Sequence, residues 1–214
     1  MQAHEVLLAS HEGNTELLFT AFANDNDHIR TLALHGLLKN NVLIEEHIRC
    51  AEVDPSRLVR HRLAQLGAVE PRINLSILLH DVDFAVAETA AWSLGERVDV
   101  TPEEFALLLE GGAHHDHAIV RESCIAALGA IGDPRAVPVI LEGCNDKPAV
   151  RRRAILALAP FDGPEITAAL EKALLDRDWQ VRQAAEDLLA IEKEVENPHN
   201  SPQGTDTYSE PEKF

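Results

Sequence analysis

Apolar side chains return along this chain at i, i+4, i+7 and i+8, as in Val120, Cys124, Ala127 and Leu128, then Val150, Ala154, Ala157 and Leu158, then Val181, Ala185, Leu188 and Leu189. That spacing puts each set on one stripe of a helix with about 3.6 residues per turn. Most stripes begin at an apolar-Arg pair: Ile29-Arg30, Val59-Arg60, Val120-Arg121, Val150-Arg151 and Val181-Arg182, with Val86-Ala87 in the third place. From Arg30 to Arg182 the steps are 30, 27, 34, 30 and 31 residues, a period in the range of helical repeats. After the stripe at Val120, Gly129 and Gly132 are expected to loosen the helix end. Asp133 suits an N-cap, and Pro134 suits the first turn of a second helix with Val137, Ile140 and Leu141 on one face. One such hairpin leaves apolar surface uncovered, so neighbours must stack. The predicted fold is all-α, an α-solenoid of stacked helical hairpins.

The same pattern marks the ends and two irregular units. Residues 1–24, with "MQAHEVLLAS" and "TELLFTAFA", read as a capping hairpin, and residues 25–191 hold the repeats. The segment 192–214 contains Pro, Ser and Gly with little to bury, and is expected to be a disordered tail. In the third unit Ala87 replaces Arg, which removes one rung from any Asp-Arg ladder between repeats. In the second, the step from Val59 to Leu66 is one residue short, so that helix is expected to be shifted or kinked.

The run "D-H-A-I-V-R-x-x-x-x-A-A-L-G-A-I-G-D-P-R-A-V-P", from Asp116 to Pro138, resembles the HEAT-like repeat of the phycobilisome (PBS) lyase type, and the resemblance extends over about residues 26–191. It implies a right-handed α-solenoid, with the Val-Arg helices outside and the second helices lining the concave side. Proteins similar to it attach, isomerise or remove linear tetrapyrroles, usually with a partner subunit. A bilin lyase or lyase subunit is therefore the alternative to a pure interaction role, although no residue set here marks bilin chemistry.

Composition narrows the partners. Only 4% of residues are aromatic against 45% hydrophobic, so the core must be aliphatic and its helices close together. The net charge of −17 opposes phosphate backbones and anionic membrane surfaces, and suits a basic protein partner. The three cysteines, Cys50, Cys124 and Cys144, are too scattered for a disulfide framework or a C-x-x-C metal pair. No signal peptide and no apolar run of membrane-spanning length stands out, so a cytoplasmic location is expected.

Candidate chemistry is sparse. His114, His115, Asp116 and His117 form "HHDH", but adjacent turn residues rarely converge on one metal, and Asp116 aligns with Asp146 as a helix N-cap. The chain also resembles helical-repeat iron oxygenases, whose ligands are His-Glu pairs directly after Val-Arg. Here those places hold His61-Arg62, Glu122-Ser123, Arg152-Arg153 and Gln183-Ala184. Arg151, Arg152 and Arg153 are the only basic cluster, too little for the groove of a helical-repeat DNA glycosylase. No catalytic, metal or cofactor residue is assigned and no cofactor is expected. Phe84 and Trp179 precede their stripes by two residues and read as packing at a helix start. Trp92, off the stripe, reads as packing on a neighbouring repeat or as an exposed anchor.

The expected function is a non-catalytic scaffold or adaptor, of which an inhibitor of a basic target is one kind. Taking Phe105, Val137 and Ile166 as equivalent, the next columns are Leu107, Val139 and Ala168, then Glu110, Glu142 and Glu171. Leu75 joins the aliphatic column if Ile73 is the equivalent, and Glu103 and Arg135 flank the set. These nine residues are the expected concave contact surface for a basic, partly apolar helix or loop of another protein, the alternative being that the glutamates are only a solvated face.

Overall fold

A computed structural model describes residues 1–196, with side-chain surroundings to Ile191. Thirteen α-helices follow one another: α1 (Ala3–Glu12), α2 (Thr15–Phe22), α3 (Asp27–Lys39), α4 (Glu45–Glu52), α5 (Arg57–Leu66), α6 (Leu75–Leu79), α7 (Phe84–Glu96), α8 (Pro102–His114), α9 (Ala118–Ile131), α10 (Val137–Gly143), α11 (Pro148–Ala157), α12 (Pro164–Ala173) and α13 (Trp179–Glu196). No strand occurs among the described residues, and the architecture is a solenoid of stacked helical hairpins. None of the described helices is long and apolar enough to cross a membrane. Helix α13 runs five residues past the repeat boundary placed at 191, and most of the expected tail, 197–214, lies outside the described residues.

Local chemistry sets the helix starts. Asn26, Ser56 and Asp83 each accept the backbone N–H of the residue two ahead, opening α3, α5 and α7. Thr101 and Glu104 close a reciprocal capping box at α8. Gly132, at φ 70°, ends α9 in the left-handed region, and Asp133 caps the short 3-10 turn Pro134–Ala136 before α10. Gly129 plays a different part from the one expected. It sits inside α9, where a Cβ would lie 2.7 Å from the Cα of Ala157 on α11. Its missing side chain sets a helix-helix distance rather than loosening an end.

The alternating helices form two layers. Helices α1, α3, α5, α7, α9, α11 and α13 pack each on the next, far more extensively than α6 on α8 or α8 on α10. A stack of hairpins bends toward the layer with the shorter spacing. The Val-Arg helices therefore line the inner, concave face, and the intervening helices fan out on the convex side. This reverses the expected assignment. Periodicity reports which stripe is buried, not how far apart successive helices lie. The pairing is shifted as well: α6 packs on α7 more than on α5, and α8 on α9 more than on α7. Helix α2 likewise packs more on α3 than on α1, although α1 and α2 also touch.

The core between the layers is aliphatic. Val59, Leu63, Val86, Leu94, Val120, Leu128, Val150 and Ala154 on the inner helices meet Leu78, Leu108, Ile140, Ile166 and Leu170 on the outer ones, all buried. Helix α5 ends at Leu66, and Gly67 behind it leaves room for the Leu75 side chain.

Candidate functional site

The ladder foreseen at the repeat turns is present, and it explains the histidine cluster. Arg30 pairs with Asp54 at 2.7 Å, Arg60 with Asp81 at 2.6 Å, Arg121 with Asp146 at 2.6 Å and Arg151 with Asp176 at 2.7 Å. Each arginine also donates to a carbonyl of its own turn: Asn24, Asp54, His115 and Asp146 respectively. The rung between α7 and α9 lacks both partners. Ala87 stands in the arginine place, and His115 stands where the neighbouring turns have Asp54, Asp81 or Asp176. His115 keeps the local half of the role, because its Nδ1 accepts the His117 N–H at 3.1 Å as Asp81 accepts that of Asp83. Its partial burial lowers its pKa below the ordinary histidine value. Phe84 stacks on His117 across the same junction, with ring centroids 4.7 Å apart. The N-cap residue of α9 is His117, not the expected Asp116, just as that of α11 is Lys147 and not Asp146; both aspartates lie one residue before the cap. Among the described residues no group of three or more His, Cys, Asp or Glu side chains is arranged to hold a metal.

The thiols offer no reactive nucleophile at the repeat interfaces. Burial pushes the Cys124 thiol up to about 12 and that of Cys144 to about 11. Of the three consecutive arginines, Arg151 is a ladder rung, Arg152 is exposed, and Arg153 reaches Glu122 on α9 at 3.6 Å.

The nine expected contact residues sit on the outer layer and do not form the columns anticipated. Leu75 is fully buried and cannot meet a partner. Leu107 and Val139 are half-buried against the core. Burial aligns Leu108, Ile140 and Leu170, which makes Ile166 equivalent to Glu104 and Ala136, one residue out of the assumed phase. The third members of the columns are thus Ala169 and Lys172 instead of Ala168 and Glu171. Lys172 donates to Asn145 at 2.8 Å, so a cation ends the glutamate column. Glu103, Glu110, Glu142, Ala168 and Glu171 are exposed. Arg135 is held locally: it pairs with Asp133 at 2.6 Å and lies 4.7 Å from the centroid of the Phe105 ring, and Asp133 is lowered to about 2 by that arginine.

The outer layer has depressions of its own, one of about 340 Å³ beside Leu141, Ala169 and Lys172 and one of about 130 Å³ beside Leu107 and Glu110, but the exposed tryptophans lie on the inner face. Trp92 is 48% exposed and Ile119 47%, and both line a cleft of about 360 Å³ between α7 and α9 with Glu88, Glu122, Ser123 and Arg153. A second depression between α9 and α11 shares Ala126, Ala130 and Arg153 with the first. A third, between α11 and α13, shares Leu156 with the second and is bordered by Trp179, itself 64% exposed. The three adjoin one another along the inner helices and together outline a trough. Of the two residues expected to pack at helix starts, Phe84 is 45% exposed and stacks on His117, whereas Trp179 is largely open to the third depression. Neither Trp92 nor Trp179 could be placed from periodicity, because the inner stripe was assigned to the convex side.

A search of curated proteins finds no match to this chain. Among solved structures, the X-ray structure of the Escherichia coli protein YIBA (YIBA_ECOLI) is similar in fold, with a TM-score of 0.61 at 19% identity over 92% of this chain and 78% of that one. The profile for HEAT repeats matches residues 71–149 and again 108–190, together more than half of the chain, and its description names nothing specific to lyases. The phased Val-Arg helices, the Asp-Arg rungs and this match together place the chain in the HEAT-repeat family.

Proposed function

We propose that the chain is a non-catalytic scaffold that binds another protein along the trough on its inner face. The observation that carries this reading is the trough itself. Two exposed tryptophans and Ile119 lie along three linked depressions, on a layer too closely packed to collapse over them. Large exposed aromatics in a concave surface are the side chains that supply most binding energy at protein interfaces. The net charge of −17 favours a basic partner and speeds its approach. The exposed Glu103, Glu110, Glu142 and Glu171 of the outer layer contribute to that field, and of these Glu110 lines a small depression with Leu107 that holds no exposed tryptophan. The bilin-lyase alternative rests on the resemblance alone.

Two variants compared by quantitative pull-down test the assignment. Trp92→Ala with Trp179→Ala should abolish capture of the partner. Glu110→Lys with Glu142→Lys and Glu171→Lys should slow association without abolishing it, and the effect should fade with added salt. Capture that survives the tryptophan changes and fails with the charge reversal would move the binding surface to the outer layer.

A further inference from the structure

One carboxylate in the trough lacks the cation that its counterpart one repeat later possesses. Glu122, the residue after Arg121 on α9, is paired with Arg153, two residues after Arg151 on α11. The equivalent positions one repeat earlier are Glu88 on α7 and Ser123 on α9. There the partner is a hydroxyl, and the Ser123 Oγ donates to Glu88 Oε1 at 3.2 Å. The Glu88 carboxylate is held in place by that bond and by Thr89 Oγ1 at 3.4 Å; its charge also reaches His61 on α5, whose pKa burial lowers, and Arg153 in the same cleft is paired with Glu122. Trp92 stands one turn further along the same helix face, and Glu96 one turn beyond that. An indole face between two carboxylates, open to a cleft, suits a cation that stacks on the ring and pairs with the acid.

We infer that the cleft beside Trp92 receives an arginine or lysine side chain from a basic segment of the partner protein, seated on the indole and paired with Glu88. This rests on the inner-face reading above and specifies the chemistry of its partner. The incoming cation occupies the place that Arg153 fills for Glu122. The hydroxyl at Ser123 leaves the volume for it, and the adjoining depressions toward Trp179 accommodate the extended chain beyond it.

Fluorescence titration in a Trp179→Phe background, where Trp92 is the sole tryptophan, tests the inference. The probe is an eight-residue peptide alternating Ala and Arg, with its citrulline counterpart as the uncharged control. The arginine peptide should change the Trp92 emission saturably, and the citrulline peptide should bind at least tenfold more weakly. Glu88→Gln, which retains an acceptor for Ser123, should weaken the arginine peptide at least tenfold. Ser123→Arg supplies the missing cation from within, and should block the peptide to a similar degree while leaving the thermal midpoint unchanged or higher. Equal affinity for the two peptides, or peptide binding by Glu88→Gln or Ser123→Arg as tight as by the parent, overturns the inference. The same Glu88→Gln protein in the pull-down separates the two proposals. Partner capture that needs Trp92 but tolerates Glu88→Gln leaves the trough standing and removes the cation site, whereas capture indifferent to Trp92 removes both.

Discussion

Between α9 and α11 a methyl group on Gly129 would meet the Cα, Cβ and carbonyl oxygen of Ala157, all within 2.9 Å. Between α8 and α10 a methyl group on Gly112 would come closest to a side-chain atom, Val139 Cγ1, at 3.1 Å. From α7 to α11 the inner layer is thus backbone against backbone, as again at Gly95 over Ala127, whereas α8 meets α10 side chain against side chain. The first leaves no slack, because backbone cannot rotate away. The second leaves rotamer freedom and gaps. Small residues on the Val-Arg helices therefore set the spacing of the whole stack, and the aliphatic outer helices fill what remains.

Breaking the inner layer at a ladder rung should have the largest effect. In Arg151→Ala, Asp176 loses its partner while only 16% exposed, and the turn carbonyl of Asp146 loses a donor. Removing one member of a mostly buried pair should cost about 3 kcal/mol. Urea unfolding should show that loss with little change in slope. Gly129→Ala should come next. The gain in helix propensity is about 1 kcal/mol, but overpacking against backbone outweighs it, for a net loss of about 2 kcal/mol. Gly112→Ala is its counterpart in the outer layer. There Val139 can turn aside, and the propensity gain should leave stability unchanged or slightly raised. If the two glycine variants melt alike, the contrast between the layers is wrong.

The smallest effect concerns the missing rung. Ala87→Arg with His115→Asp should restore it, with a favourable coupling of about 1 kcal/mol in a double-mutant cycle. Acid sharpens the test. His115 holds its turn through an unprotonated Nδ1, and burial keeps its folded pKa below the ordinary 6.5. Below pH 6.5 the unfolded chain takes up a proton that the folded one resists. This contribution to stability is therefore full above 6.5, and is lost as pH falls through the folded value. His35, His47 and His61 are lowered by burial in the same sense and contribute alike in both proteins. The double variant should therefore lose less stability than the parent between pH 7 and pH 5. Equal losses would show that His115 does not carry the turn.

Much of this was legible in the residues, and the limits are instructive. Arg30, Arg60, Arg121 and Arg151 announced the rungs, and Ala87 announced the gap. The compensating change was readable too: counting six back from Arg60 and Arg182 reaches Asp54 and Asp176, and six back from Arg121 reaches His115. The run of histidines invited a metal comparison instead. The layer assignment was not legible, since hydrophobic stripes look the same on a concave and a convex helix. Only the pairing of Gly95 with Ala127 and Gly129 with Ala157 distinguishes them, and that pairing crosses more than 25 residues. The phase of α12 slipped because Ile166 is as apolar as Phe105, while its true counterpart on α8 is Glu104, a buried acid held by Arg97 at 2.8 Å.

The close backbone contact of the inner helices also governs how the molecule can deform. In a bent strip, the layer that keeps its length is the neutral axis, and all stretching falls elsewhere. Here that axis runs through α7, α9 and α11, locked by Gly95 and Gly129. Opening or closing the trough would leave the spacing along its floor unchanged and be absorbed by fanning of α8, α10 and α12, which pack on one another less closely than the inner helices do. The cleft beside Trp92 thus keeps its dimensions while the arms of the curve move, so the solenoid can fit partners of different girth around a floor of fixed pitch.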